Sequence, residues 1–98
     1  MSKLNQDKIP VDFSNKYKLV RLDNGRTWHT DTAHFISWDE EGRGKDLHNE
    51  PQIGYSCILD GDRFSFTWLT TRIAEILENT PNYIKFKTKN STYELYIK

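Results

Sequence analysis

His29, Asp31 and His34 stand close together in the chain, with His48 further along. Imidazole and carboxylate groups are zinc ligands, but their spacing here matches no standard zinc motif. A single cysteine, Cys57, leaves no multi-thiolate site and no intrachain disulfide. With His29 in a strand, His34 has to double back over a turn to meet it. The expectation is ordinary surface or hydrogen-bonded histidines, with no metal and no other cofactor. A thiol–imidazole pair needs an accessible cysteine. Cys57 instead lies in the apolar run Ile53-Gly54-Tyr55-Ser56-Cys57-Ile58-Leu59, where a free cysteine behaves as a small buried hydrophobe. No Gly-x-Ser-x-Gly elbow is present. Asp60-Gly61-Asp62 is out of register with a calcium loop and reads as a solvated turn. Glu41-Gly42-Arg43-Gly44-Lys45 lacks both the Walker and the dinucleotide pattern. No catalytic set emerges, so a non-enzyme is expected.

Two charged features carry more. The acidic stretch Asp39, Glu40 and Glu41, beside Trp38 and followed by Arg43 and Lys45, has the composition of a surface that meets a basic protein partner. Lys85, Lys87 and Lys89 alternate along a chain segment, so a strand would set them on one outward face. With Tyr83 or Tyr96 nearby, that face could hold single-stranded nucleic acid by charge and stacking. The bland readings are a solvated loop for the first and a solubilising strand face for the second. Trp28, Trp38 and Trp68 divide between core and surface, and an exposed tryptophan suits a binding hot spot.

The elements that position these residues are short. The chain has 98 residues, with fourteen Lys plus Arg against fourteen Asp plus Glu. One domain with one compact core is the most such a chain can build. A neutral total argues against a dedicated phosphate-backbone binder. Three Trp, five Tyr and five Phe argue against disorder over most of the length. Residues 1–12 read as a flexible polar tail and 13–98 as a single β domain. No apolar stretch approaches membrane-spanning length, and residues 1–10 lack the apolar centre of a secretory signal, so a cytoplasmic protein is expected.

Residues 17–22 alternate, Asp23-Asn24-Gly25 is a hairpin signal, and residues 26–30 form the returning strand. Residues 34–38 make a third apolar run. Residues 39–52 have no sustained period and read as a long charged loop. Residues 53–59 and 63–68 read as strands joined at Asp60-Gly61-Asp62, with Phe64, Phe66 and Trp68 on one face. In 71–78, Ile73, Ile76 and Leu77 have helical spacing, yet only about two turns fit before Asn79 and short helices are weak. The context favours a strand. Residues 83–88 and 92–97 alternate cleanly around Lys89-Asn90. The fold expected is mostly β, a small antiparallel barrel or sandwich, with an SH3-like barrel as the leading form and at most one short helix.

Thr70-Thr71-Arg72-Ile73-Ala74-Glu75-Ile76 and Thr88-Lys89-Asn90-Ser91-Thr92-Tyr93 resemble a pattern of short bacterial and bacteriophage proteins. Those carry Thr-Ser/Thr-Pro-Ile/Val-x-x-Ile and end in Thr-x-Asn-Ser-x-Tyr. Arg72 stands where proline is common in that pattern. The likeness covers the C-terminal third. It implies a strand after Arg72, a hairpin at Lys89-Asn90 and a source in a phage or mobile element, hence a bacterial cytoplasm. It implies no activity. The function expected is a non-catalytic accessory module that binds a host protein through Trp38, Asp39, Glu40, Glu41, Arg43 and Lys45. The alternative is a nucleic-acid-binding barrel using Tyr83, Lys85, Lys87 and Lys89.

Overall fold

The computed structural model describes residues 15–61 and 66–98. The expected tail over 1–12 lies outside the described residues, as do residues 63–65 of the strand expected over 63–68, Phe64 included; of its described part only Trp68 is strand. The described residues form strands β1 (Tyr17–Arg21), β2 (Thr27–Thr30), β3 (Ala33–Trp38), β4 (Gly44–His48), β5 (Ser56–Leu59), β6 (Trp68–Leu69), β7 (Ile73–Thr80), β8 (Tyr83–Thr88) and β9 (Thr92–Ile97), with no helix among them. They make two antiparallel sheets, ordered β2-β1-β9-β8-β7 and β4-β3-β5-β6. Neither sheet closes on itself. The chain crosses between them after β2 and again after β6. Ile73 N donates to Tyr55 O at 2.7 Å and Gly54 N to Ile73 O at 2.8 Å, tying the start of β7 to the approach of β5.

Leu19, Phe35, Cys57, Leu59, Ile73, Ile84, Phe86 and Leu95 fill the core between the sheets. Phe86 is completely buried and lies between Tyr93, stacked at 5.4 Å, and the edge of Phe35 at 6.2 Å. A side chain of this size contributes about 1.5–3 kcal/mol when fully buried. Trp28 and Trp68, on the outer strands β2 and β6, stack at 4.5 Å.

The β1–β2 turn uses the expected residues in a wider form. Gly25 takes φ +74°, whereas Asn24 does not enter the left-handed region. Asn24 Oδ1 instead accepts from Arg26 N at 2.9 Å, and Gly25 N bonds Arg21 O at 2.9 Å. The strand expected from Ile53 begins only at Ser56, because Gly54 at φ +95° turns the chain and Ile53 is exposed.

Two departures have clear physical causes. The stretch 39–52 is not one long loop, because it contains β4. That strand is exposed at Lys45, Asp46 and Leu47 and partly covered only at its ends. It pairs with β3 alone, so it has no core face to impose an alternating pattern. Backbone pairing makes it a strand, and a bulge between Ile36 and Trp38 accommodates it. Ser37 Oγ fills that bulge, accepting from Asp46 N at 3.2 Å and donating to Asp46 O at 3.3 Å. The second departure is β7. Register shifts between Ile73 and Glu75 and between Ile76 and Glu78 insert extra residues. A strand period of two plus one bulged residue puts Ile73 and Ile76, three apart, on the same core face. The helical spacing in the sequence is the imprint of a bulged strand.

Candidate functional site

β3 ends at Trp38, and the chain turns through residues 39–43 before returning as β4. Asp39 organises the turn. Its N donates to Arg43 O at 2.9 Å and its O accepts from Gly42 N at 3.0 Å. Its carboxylate Oδ1 accepts from Glu41 N and Arg43 N, each at 2.9 Å. Gly42 takes φ +81°, a conformation that strains any residue with a Cβ. Arg43 folds back on its own turn, with Nε 3.3 Å from Asp39 Oδ2 and Nη2 2.9 Å from Glu41 Oε1. The Arg43 backbone N–H, followed by that of Glu41 and the Arg43 charge, holds the Asp39 carboxyl below its usual range. Glu40 is exposed and has no hydrogen bond or ion pair among the described residues.

The structure brings Trp38, Asp39, Glu40, Glu41 and Lys45 to one shallow, wide concavity of about 380 Å3. Of the residues expected at a partner surface, Arg43 does not line this concavity; it pairs with Asp39 and Glu41 within the turn. Trp38 is half-buried, and its Nε1 donates to Ser56 Oγ at 3.1 Å across the sheet. The Arg72 guanidinium lies over the indole at 5.5 Å. Trp38 also lines a second open concavity of about 280 Å3, bounded by Gly42, Ser56, Thr71 and Arg72. Sequence reasoning did not single out Arg72 for a site. The available signal was its departure from the proline of the resembling pattern.

The lysine ladder is placed differently. Lys85 lies in register with Glu94 on β9 and Glu78 on β7, and Lys87 with Glu75 on β7 and Thr92 on β9. Lys89 is exposed in the β8–β9 turn. Tyr83 is buried, and its hydroxyl donates to Glu94 Oε2. Tyr96 donates to Glu94 Oε1 at 2.8 Å. Burial first, and the Glu94 carboxylate second, push the ionisation of both tyrosines up.

The histidines are dispersed. His29 is exposed on β2, while His34 on β3 lies opposite Ile58. Asp31 accepts from Lys16 N at 3.1 Å. His48 Nε2 is 3.1 Å from Ser37 Oγ, and its ring stacks on Tyr55 at 4.7 Å. Among the described residues no group of three His, Cys, Asp or Glu side chains is placed to hold a metal ion. Burial pushes the Cys57 thiol up to about 12, so the nucleophilic thiolate is not formed near neutral pH. No helix among the described residues is long and apolar enough to cross a membrane. Comparison with protein-family models, curated proteins and solved structures gave no significant match.

Proposed function

We propose that the protein is a non-catalytic protein-binding module that engages a basic partner through the β3–β4 turn and Trp38. The observation that carries this reading is the pre-formed turn. The Asp39 carboxylate is anchored by two backbone N–H groups, which places Glu40 and Glu41 beside a half-buried tryptophan at an open concavity. A rigid turn loses little freedom on association, and a tryptophan at the centre of a patch is a typical anchor. The unpaired Glu40, with the net negative charge of the turn around it, steers a basic partner and sets its register. A nucleic-acid channel of a host enzyme is one surface with the complementary charge.

The C-terminal resemblance supports a bacteriophage or mobile-element accessory protein acting in the bacterial cytoplasm. The link between Ile73 and residues 54–55 supports reading the two open sheets as a partly open SH3-like barrel. The nucleic-acid alternative has weaker support. Glutamates stand in register with Lys85 and Lys87, and the Tyr83 ring is buried, leaving no face on which a base could stack.

The test is nuclease-treated capture from bacterial lysate with the full chain, run beside the Asp39→Ser/Glu40→Ser/Glu41→Ser variant. One stoichiometric protein retained by the wild type and lost by the triple variant is the expected result. Equal retention by both chains, or recovery of nuclease-sensitive material only, refutes the reading.

A further inference from the structure

Trp38 lines two concavities of different charge. One carries Asp39, Glu40 and Glu41 together with Lys45. In the other, Arg72 stands with Thr71 and Ser56, facing the Gly42 side of the turn. Arg72 is exposed and, among the described residues, has no hydrogen bond or ion pair, only its stacking on Trp38 at 5.5 Å. A guanidinium carries five N–H donors, and with none of them bonded among the described residues two parallel bonds to a carboxylate are open to it. A β-carbon added at Gly42 would lie 4.0 Å from Arg72 Nη2, so the guanidinium sits beside the turn. We propose that the Arg72 concavity is a carboxylate subsite. The partner segment is then an extended peptide with an apolar residue on Trp38, a basic residue toward Asp39–Glu41 and an Asp or Glu on Arg72. This rests on the protein-binding reading above and specifies its partner.

Charge selects a carboxylate over a phosphate. Arg72 is the only cation bounding its concavity among the described residues, and the carboxylates across Trp38 repel a dianion. A monoanionic carboxylate with a cation on the same peptide matches both concavities at once. Two-sided charge complementarity also rejects segments of uniform charge, since like charges placed together disfavour the wrong partner.

The test uses the 15N-labelled full chain and capped Lys-Lys-Pro-Leu-Glu-Glu, made in both chain directions, beside the same peptides with both glutamates changed to glutamine. The glutamate peptide is expected to shift the Trp38 indole N–H and the Arg72 Nε–H signals. It should bind at least about threefold more tightly than the glutamine peptide, as an exposed ion pair allows. Arg72→Gln should abolish that discrimination, and Arg72→Lys should keep part of it, with the remaining amide spectrum of each variant unchanged. Equal binding of the two peptides, discrimination that survives Arg72→Gln, or no shift with either peptide overturns the subsite. The Asp39→Ser/Glu40→Ser/Glu41→Ser chain separates the two readings. If it loses both peptides while Arg72→Gln changes nothing, the carboxylate subsite fails and the acidic turn stands. If it binds as the wild type does while Arg72→Gln loses discrimination, the acidic turn fails and the subsite stands.

Discussion

The β3–β4 turn and the outer face of β8 are both charged, aromatic stretches, yet the fold treats them in opposite ways. On β8 each of two lysines has a glutamate in register on a neighbouring strand, and Tyr83 is buried with its hydroxyl on Glu94. Charge and aromatic surface there serve sheet pairing. At the turn, Arg43 meets Asp39 and Glu41, Glu40 is left over, and Trp38 keeps part of its ring at the surface. A charge run therefore says little about function until its cross-strand neighbours are known. Opposite charges facing each other in a sheet contribute roughly 0.2–1 kcal/mol per pair.

Substitution should separate the two regions most sharply at their aromatics. Tyr83→Ala removes a buried ring and leaves Glu94 with one of its two tyrosine donors. It should cost about 3 kcal/mol in chemical unfolding, as other buried aromatic truncations do. It should change partner binding only through the loss of folded protein. Trp38→Ala should do the reverse. Its stability cost should be about 1 kcal/mol, while affinity for the captured partner should fall by about thirtyfold, the behaviour of a hot-spot anchor. Comparable stability losses from the two changes would erase the distinction between the regions.

The same contrast has a pH signature. Tyr83 and Tyr96 have ionisations raised above their ordinary value of 10.0. Their contribution to stability is complete below that value and is lost as pH rises beyond it, because the unfolded chain ionises first. The Asp39 carboxyl is lowered below 3.8, so its contribution is complete above that value and is lost as pH falls through the lowered one. Unfolding measured across both ends of the scale should show alkaline loss that is reduced in Tyr96→Phe, and acid loss that is reduced in Asp39→Asn. The smallest effect expected is from Lys87→Glu, which places like charges opposite Glu75 and should cost about 0.5 kcal/mol. A stabilising Lys87→Glu would show that the register pairing with Glu75 carries no favourable charge interaction.

Much of the framework was legible from local chemistry. Period-two alternation in residues 83–88 and 92–97 marked β8 and β9, because one face of each meets the core and the other carries the charged side chains. The turn residues around Gly25 and Lys89-Asn90 marked two reversals. β4 was illegible for the opposite reason: an edge strand with no buried face has nothing periodic to show. The spacing in β7 pointed two ways because a bulge adds a residue to a period of two, which imitates a helical interval.

The residue sequence alone determined that this chain builds a mostly β fold, since alternation, aromatic content and turn-forming residues act locally. It also determined which side chains are chemically able to form a site. Only tertiary structure decided which of those side chains are free to act. Trp28 and Trp68 are far apart in the chain and face each other because β2 and β6 end their respective sheets. Trp38 is left to Ser56 and Arg72. Arg72 reaches Trp38 only because the chain crosses from β6 to β7 beside the β3–β4 turn. Burial, cross-strand register and the meeting of distant segments are properties of the packed whole, and no window of sequence contains them.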